Sequence, residues 1–109
     1  KLEGISVNCI APGFVSTNIH KKTIKSGPKY AGKFFFSETL NKIKNGGTPL
    51  NKIFDCVNFL ISKKSKFLTG KTISVNFDPW HGKKFQKNIK KIIKTNELTM
   101  RRINLRTQF

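Results

Sequence analysis

Cysteine, histidine, arginine and acidic residues are all scarce in this sequence, and each shortage closes off a class of function. The two cysteines, Cys9 and Cys56, lie far apart and form no Cys-x-x-Cys pair. They are too few for a disulfide framework, and each sits in an apolar segment, so both are expected to be small core residues in a reducing compartment. His20 and His81 have no second ligand at metal spacing, so neither a metal site nor a bound metal is expected and both are read as surface histidines. No apolar stretch approaches the roughly 20 residues of a membrane span. Residues 1–12 lack the apolar run of a signal peptide and lead straight into Pro12-Gly13. The first residue is Lys1, so the chain is expected to begin inside a longer reading frame or after processing. At 109 residues it can form one small domain at most.

The shortage of acid leaves a formal charge of +17, from 22 Lys and Arg against five Asp and Glu. Such a balance suggests a small basic nucleic-acid-binding module, in which lysines displace phosphate counterions and interleaved phenylalanines stack on bases. The type of cation argues the other way. Lysine outnumbers arginine 19 to 3, whereas phosphate recognition usually enlists the planar arginine fork. Together with the abundance of Ile, Asn and Phe, this suits a solvated exterior shaped by an AT-rich genome. No nucleic-acid-binding motif is present, and no specific nucleic-acid partner is expected.

Ile5-Ser6-Val7-Asn8-Cys9-Ile10 is a β-branched run halted by Ala11-Pro12-Gly13, which reads as a strand and a turn. Ile5, Val7 and Cys9 alternate on one side and Ile10 lies on the other, as in a buried parallel strand. Residues 18–47 are irregular in pattern. Gly27-Pro28 breaks any helix, Phe34-Phe35-Phe36 forms an exposed-looking aromatic cluster, and Asn45-Gly46-Gly47 closes the segment. A segment of this kind is expected to be a lid or binding loop, and the three phenylalanines argue against simple disorder. Thr48 and Pro49 are expected to be the N-cap and first residue of a helix. Its core face would be Ile53, Phe54, Val57, Leu60 and Ile61, with Lys63 and Lys64 in the last turn. After the Leu68-Thr69-Gly70 turn, residues 71–77 form a second strand with Ile73, Val75 and Phe77 on one side. Phe85, Ile89, Ile92 and Ile93 then mark a second amphipathic helix, over residues 83–94, whose other face is almost wholly Lys. No internal repeat is visible. The order strand, long loop, helix, strand, helix, tail makes one crossover unit of a parallel sheet, an α/β architecture. Two strands are too few for an independent sheet.

The stretch Gly4-Ile-Ser-Val-Asn-Cys-Ile-Ala-Pro-Gly-Phe-Val-Ser-Thr17 resembles the short-chain dehydrogenase/reductase family, whose pattern here is G-I-x-V-N-x-I-x-P-G-x-V-x-T. Phe59-Leu60-Ile61-Ser62 and Phe67-Leu68-Thr69-Gly70-Lys71-Thr72-Ile73-Ser74-Val75 resemble that family's last helix, Thr-Gly turn and final strand. The resemblance implies the C-terminal part of a Rossmann-type doubly wound parallel sheet over residues 1–77, with 18–47 as a substrate loop and 78–109 as a basic C-terminal extension. It implies an NAD(P)-dependent oxidoreductase of bacterial, cytoplasmic type that moves a hydride between the nicotinamide and a carbonyl or alcohol substrate. Pro12, Gly13, Phe14 and Val15 would flank the nicotinamide; Val15 would bond its carboxamide through the main chain, and Thr17 would bind through its hydroxyl. These positions suit a ligand, since open α/β sheets bind beyond the carboxyl ends of their strands and glycine lets a backbone come close. The resemblance also implies a homo-oligomer, with residues 49–62 and the last strand at one interface and Ile53, Val57 and Leu60 divided between core and partner.

The family's catalytic tyrosine, lysine and serine find no match and are expected upstream of Lys1. The single tyrosine, Tyr30, has Lys33 rather than a lysine four positions on. Gly46-Gly47 lacks the preceding strand and the third glycine of a dinucleotide fingerprint. As it stands the fragment is expected to be inactive, and the choice of NAD or NADP is not encoded in it. The end also departs from the family: Val75-Asn76-Phe77-Asp78-Pro79-Trp80 replaces an acidic residue and two glycines, and Arg101-Arg102-Ile103 lies in the tail, as in some reductases of surface-polysaccharide pathways.

Overall fold

A computed structural model describes residues 4–100. Two short strands, β1 (Cys9–Ala11) and β2 (Thr72–Ser74), pair in parallel with Cys9 opposite Thr72 and Ala11 opposite Ser74. Between them run the helices α1 (Asn18–Ala31), α2 (Lys33–Lys44) and α3 (Leu50–Ile61) and a 3-10 turn at Lys63–Ser65; α4 (Lys83–Ile92) follows β2. The expected parallel crossover and α/β character are therefore present. Backbone pairing runs past the strands at both ends: Gly70 donates to the Val7 carbonyl at 2.7 Å, and Val75 to that of Ala11 at 3.0 Å.

Side chains staple the same junction. The Asn8 amide donates to the Leu68 carbonyl (3.0 Å) and its oxygen accepts from the Lys71 N–H (3.2 Å), while the Val7 N–H donates to the Thr69 hydroxyl (3.1 Å). The two sequence blocks that resemble the dehydrogenase family are thus bonded directly to one another.

The segment 18–47, expected to be irregular, is helical. The Gly27-Pro28 break is real but local: Gly27 takes φ 75° and kinks α1, and Gly32, at φ 86°, separates α1 from α2. Left-handed glycines turn the chain between helices, and α1 and α2 pack on each other. Phe34 and Phe35 remain exposed while Phe36 is half-buried.

In α3 the inward face is turned from the expected one. Cys56 and Phe59 are buried, with Ile53 and Leu60 packed beside them, whereas Phe54, Val57 and Ile61 face outward. The helix is apolar on two sides, so periodicity alone could not choose between them. Its N-cap position is Pro49, not Thr48. Lys63 and Lys64 lie outside it, because Ser62 turns to extended geometry and caps the 3-10 turn, its hydroxyl accepting from the Lys64 N–H at 3.2 Å.

The second strand is shorter than expected. The Asp78 carboxylate accepts from the Ser74 N–H at 2.6 Å and the Asp78 N–H donates back to the Ser74 carbonyl at 3.1 Å, which closes a turn and throws Phe77 into solvent. Ile73 and Val75 point inward as expected and join Cys56, Phe59, Leu68, Trp80, Phe85 and Ile89 in one core. Trp80 is anchored by its indole N–H on the Val75 carbonyl (3.2 Å), and its ring lies 6.0 Å from that of Phe59. Phe85 and Ile89 of α4 share this core, so the basic extension packs on the same body as the strands.

Two polar assignments are corrected. Cys9 is exposed, because it lies on the face of β1 opposite Ile10; only Cys56 is a core thiol. His20 is half-buried rather than a surface residue, and His81 is exposed. Arg101, Arg102 and Ile103 lie outside the described residues.

The outer edge of β2 is covered from the C-terminal side. The Thr72 N–H donates to the Leu98 carbonyl at 2.7 Å. Lys71, only 4 % exposed, donates from Nζ to the carbonyls of Thr95 (2.7 Å) and Glu97 (2.8 Å) and to the Thr99 hydroxyl (3.1 Å). A buried ammonium with its donors satisfied is tolerable, whereas removing it orphans its acceptors. Lys71→Met should therefore lower stability by about 2–4 kcal/mol in urea unfolding. Burial, and secondarily the Asp78 carboxylate, pushes the Cys56 thiol up from its ordinary range. The native state then keeps a proton that the unfolded chain loses, so stability should fall as pH rises through and beyond the ordinary thiol range. Cys56→Ala should flatten that alkaline limb, and a thiol reagent should label Cys9 quickly and Cys56 only on unfolding.

Candidate functional site

β1 delivers the chain into the loop 12–17, at the carboxyl end of the two strands, where open α/β sheets receive ligands. All five expected cofactor residues lie in this loop. Pro12, Phe14 and Val15 are half-buried; Gly13 and Thr17 are exposed.

Gly13 takes φ 78°, and a Cβ built there would fall 2.6 Å from Asn76 Nδ2 and 2.8 Å from Thr48 Oγ1. Glycine is thus required because the loop packs against these two side chains as well as for its left-handed backbone. The Asn76 amide donates to Thr48 Oγ1 at 2.8 Å and its oxygen accepts from Lys52 Nζ at 3.2 Å. On the other side the Thr48 N–H donates to the Phe14 carbonyl at 2.7 Å. Gly47, at φ 64°, lets the chain pass: a Cβ there would sit 2.6 Å from that same carbonyl. Gly47, Thr48 and Asn76, none of them read from the sequence as a support of this loop, therefore hold it in place. The Asn45-Gly46-Gly47 turn signal was visible in sequence; the role of Asn76 was not, because it depends on two distant segments meeting.

The Phe14 ring lies against that of His20, with centroids 4.4 Å apart and the planes tilted by 39°, and Lys42 Nζ lies 5.9 Å from its centroid. Lys42 is itself paired with Glu38 at 2.7 Å. His20 Nδ1 is buried with no hydrogen-bond partner among the described residues. Thr17 occupies the N-cap position of α1, and its carbonyl accepts from the N–H groups of His20 (3.1 Å) and Lys21 (3.3 Å). Its side chain makes no capping bond, so helix capping does not consume the hydroxyl. The arrangement offers an exposed hydroxyl beside a helix N-terminus, with Lys52 nearby on the Asn76 side, all favourable to an anionic or amide-bearing ligand. A cleft of about 650 Å³ lies elsewhere, between Gly4, Ser6 and the end of α3, at the opposite end of β1. No group of three or more His, Cys, Asp or Glu side chains among the described residues is arranged to hold a metal.

Over 76 residues the chain is 38 % identical to the 3-oxoacyl-(acyl-carrier-protein) reductase FabG of Buchnera aphidicola subsp. Schizaphis graminum. The match takes in 68 % of this chain and 28 % of that protein, so the chain spans less than a third of the length of this curated relative. The likeness is to the short-chain dehydrogenase/reductase family, at family level and over part of the chain. No protein-family model and no solved structure matches.

Gly13→Ala and Gly47→Ala should each cost about 1–3 kcal/mol, since each adds a methyl to occupied space at positive φ. Thermal unfolding measures the loss, and a Gly46→Ala control, whose Cβ meets nothing within 4 Å, should lose less.

Proposed function

We propose that this chain is the C-terminal part of an NAD(P)-dependent short-chain dehydrogenase/reductase and that the loop 12–17 forms one wall of its nicotinamide pocket. The observation that carries the proposal is the placement of the Pro12-Gly13-Phe14-Val15-Ser16-Thr17 motif at the carboxyl end of a parallel strand, its threonine hydroxyl unspent on capping. The sequence likeness to a reductase supports the same reading.

When bound, the cofactor would supply the hydride exchanged with a carbonyl or alcohol substrate. The chain's own part is to bind and orient. The Val15 main chain would hold the carboxamide and fix which face of the ring meets substrate. Thr17 would hold the cofactor through its hydroxyl, helped by the N-terminus of α1. Phe14, braced by His20, would give the loop a rigid apolar support. The hairpin of α1 and α2, with Phe34 and Phe35 exposed, would border the substrate. A homo-oligomer follows from the same family reading, with the exposed stripe Leu50, Phe54, Val57 and Ile61 on α3 as one contact. The two unpaired thiols suit a reducing, cytoplasmic setting.

Fluorescence titration of the full-length protein should show saturable binding of NADH or NADPH. Thr17→Val should weaken it roughly tenfold, as expected for one lost hydrogen bond to a ligand. Unchanged affinity would remove Thr17 from the site; no saturable signal with either cofactor would end the dehydrogenase reading.

A further inference from the structure

α4 carries Lys83, Lys84, Lys87, Lys90 and Lys91 and no acidic residue. At 3.6 residues per turn these five fall on one arc of roughly 120°, opposite the buried Phe85 and Ile89. Lys94 continues the line in the turn beyond, and all six are exposed. Lysines three and four apart on a helix repel each other. Lys83 and Lys84 also sit in the first turn, where the helix dipole disfavours cations and no side chain caps the helix. The salt bridge found among the described residues, Lys42–Glu38, lies on α2 and does nothing for this face. The stripe is therefore a concentrated positive field held against local repulsion.

Apolar surface flanks it on both sides. Next to Lys90 is Phe67, 45 % exposed, with Lys90 Nζ 4.8 Å and Lys66 Nζ 5.7 Å from its ring centroid. Next to Lys84 is a groove of about 320 Å³ lined by Pro79, Gly82, Phe85, Asn88 and Ile92 as well as Lys84 itself.

We propose that this face docks on an anionic phospholipid surface. Charge complementarity supplies the attraction, at about a fivefold gain in affinity per lysine close to such a membrane. Lysine ammonium groups act as point charges and need no fixed fork geometry, which suits a fluid field of headgroups better than the ordered phosphates of a nucleic acid. The flanking apolar patches match the boundary between headgroups and acyl chains. Because Phe85 and Ile89 are committed to the core, α4 does not bury itself in the bilayer; the contact is chiefly electrostatic, with Phe67 and the groove beside Lys84 as its apolar flanks. This proposal does not rest on the cofactor reading.

The test is co-sedimentation of the full chain with phosphatidylcholine–phosphatidylserine vesicles, against pure phosphatidylcholine. Binding is expected only to the anionic vesicles and should fall as added salt shortens the Debye length. The variant Lys83→Gln, Lys87→Gln, Lys91→Gln, Lys94→Gln should lose roughly a hundredfold or more of that binding. A charge-matched control, Lys21→Gln, Lys22→Gln, Lys25→Gln, Lys29→Gln on α1, should lose much less, and circular dichroism checks that both remain folded. Equal loss in the two variants would mean bulk charge alone and overturn the proposal. Tighter binding to duplex DNA than to the vesicles, lost with the α4 lysines, would assign the face to nucleic acid and overturn it equally.

Discussion

Parallel strands cannot be joined by a tight turn, and the pairing of Cys9–Ala11 with Thr72–Ser74 is what makes the three intervening helices cross over and return. A three-residue ladder is weak by itself. It is strengthened where Asn8 bonds to both ends of the Leu68–Lys71 turn and Val7 meets Thr69 and Gly70. From this junction the loop 12–17 and Asn76 leave the strands side by side. That adjacency lets Thr48 bond to Phe14 on one side and Asn76 on the other. Losing the strand register by one residue would separate every partner of the loop at once.

The edges of the pair are treated differently. β2 is shielded by the Leu98 carbonyl and by Lys71, which ties three acceptors of the 95–99 segment to the strand. β1 has no second strand beside it among the described residues, and Ile5 and Val7 stand exposed next to it. An open edge with apolar side chains is a place for further strand pairing.

What the sequence made legible follows from how local each signal is. The order of strand, helix, strand and helix, the inward residues Ile73, Val75, Phe85 and Ile89, and the loop at Pro12-Gly13 were readable because periodicity and turn chemistry act over a few residues. The two helices in 18–47 were missed because Gly27-Pro28 and Gly32 signal breaks without saying that short helices resume after each. The core face of α3 was misread because Phe54, Val57 and Ile61 are as apolar as Cys56 and Phe59. The supports of the candidate site, Gly47, Thr48 and Asn76, carry no motif; their role exists only once distant segments meet. Trp80 stood out in the sequence as a departure from a family pattern, but its main work is to fill the core and bond to Val75.

The charge balance fits this division of labour. Among the described residues the buried ones include a single ammonium, Lys71, and give it three acceptors, so burial there is matched by hydrogen bonds rather than by an opposite charge. The other lysines among the described residues are exposed, save the half-buried Lys52. On α4 the apolar half closes the core and the basic half faces solvent, so the two halves answer to different constraints. Replacing Phe85 or Ile89 would open a cavity, whereas neutralising the outward lysines removes repulsion and leaves the packing untouched. A helix built this way can gain or lose an anionic partner without changing the fold that positions the loop 12–17.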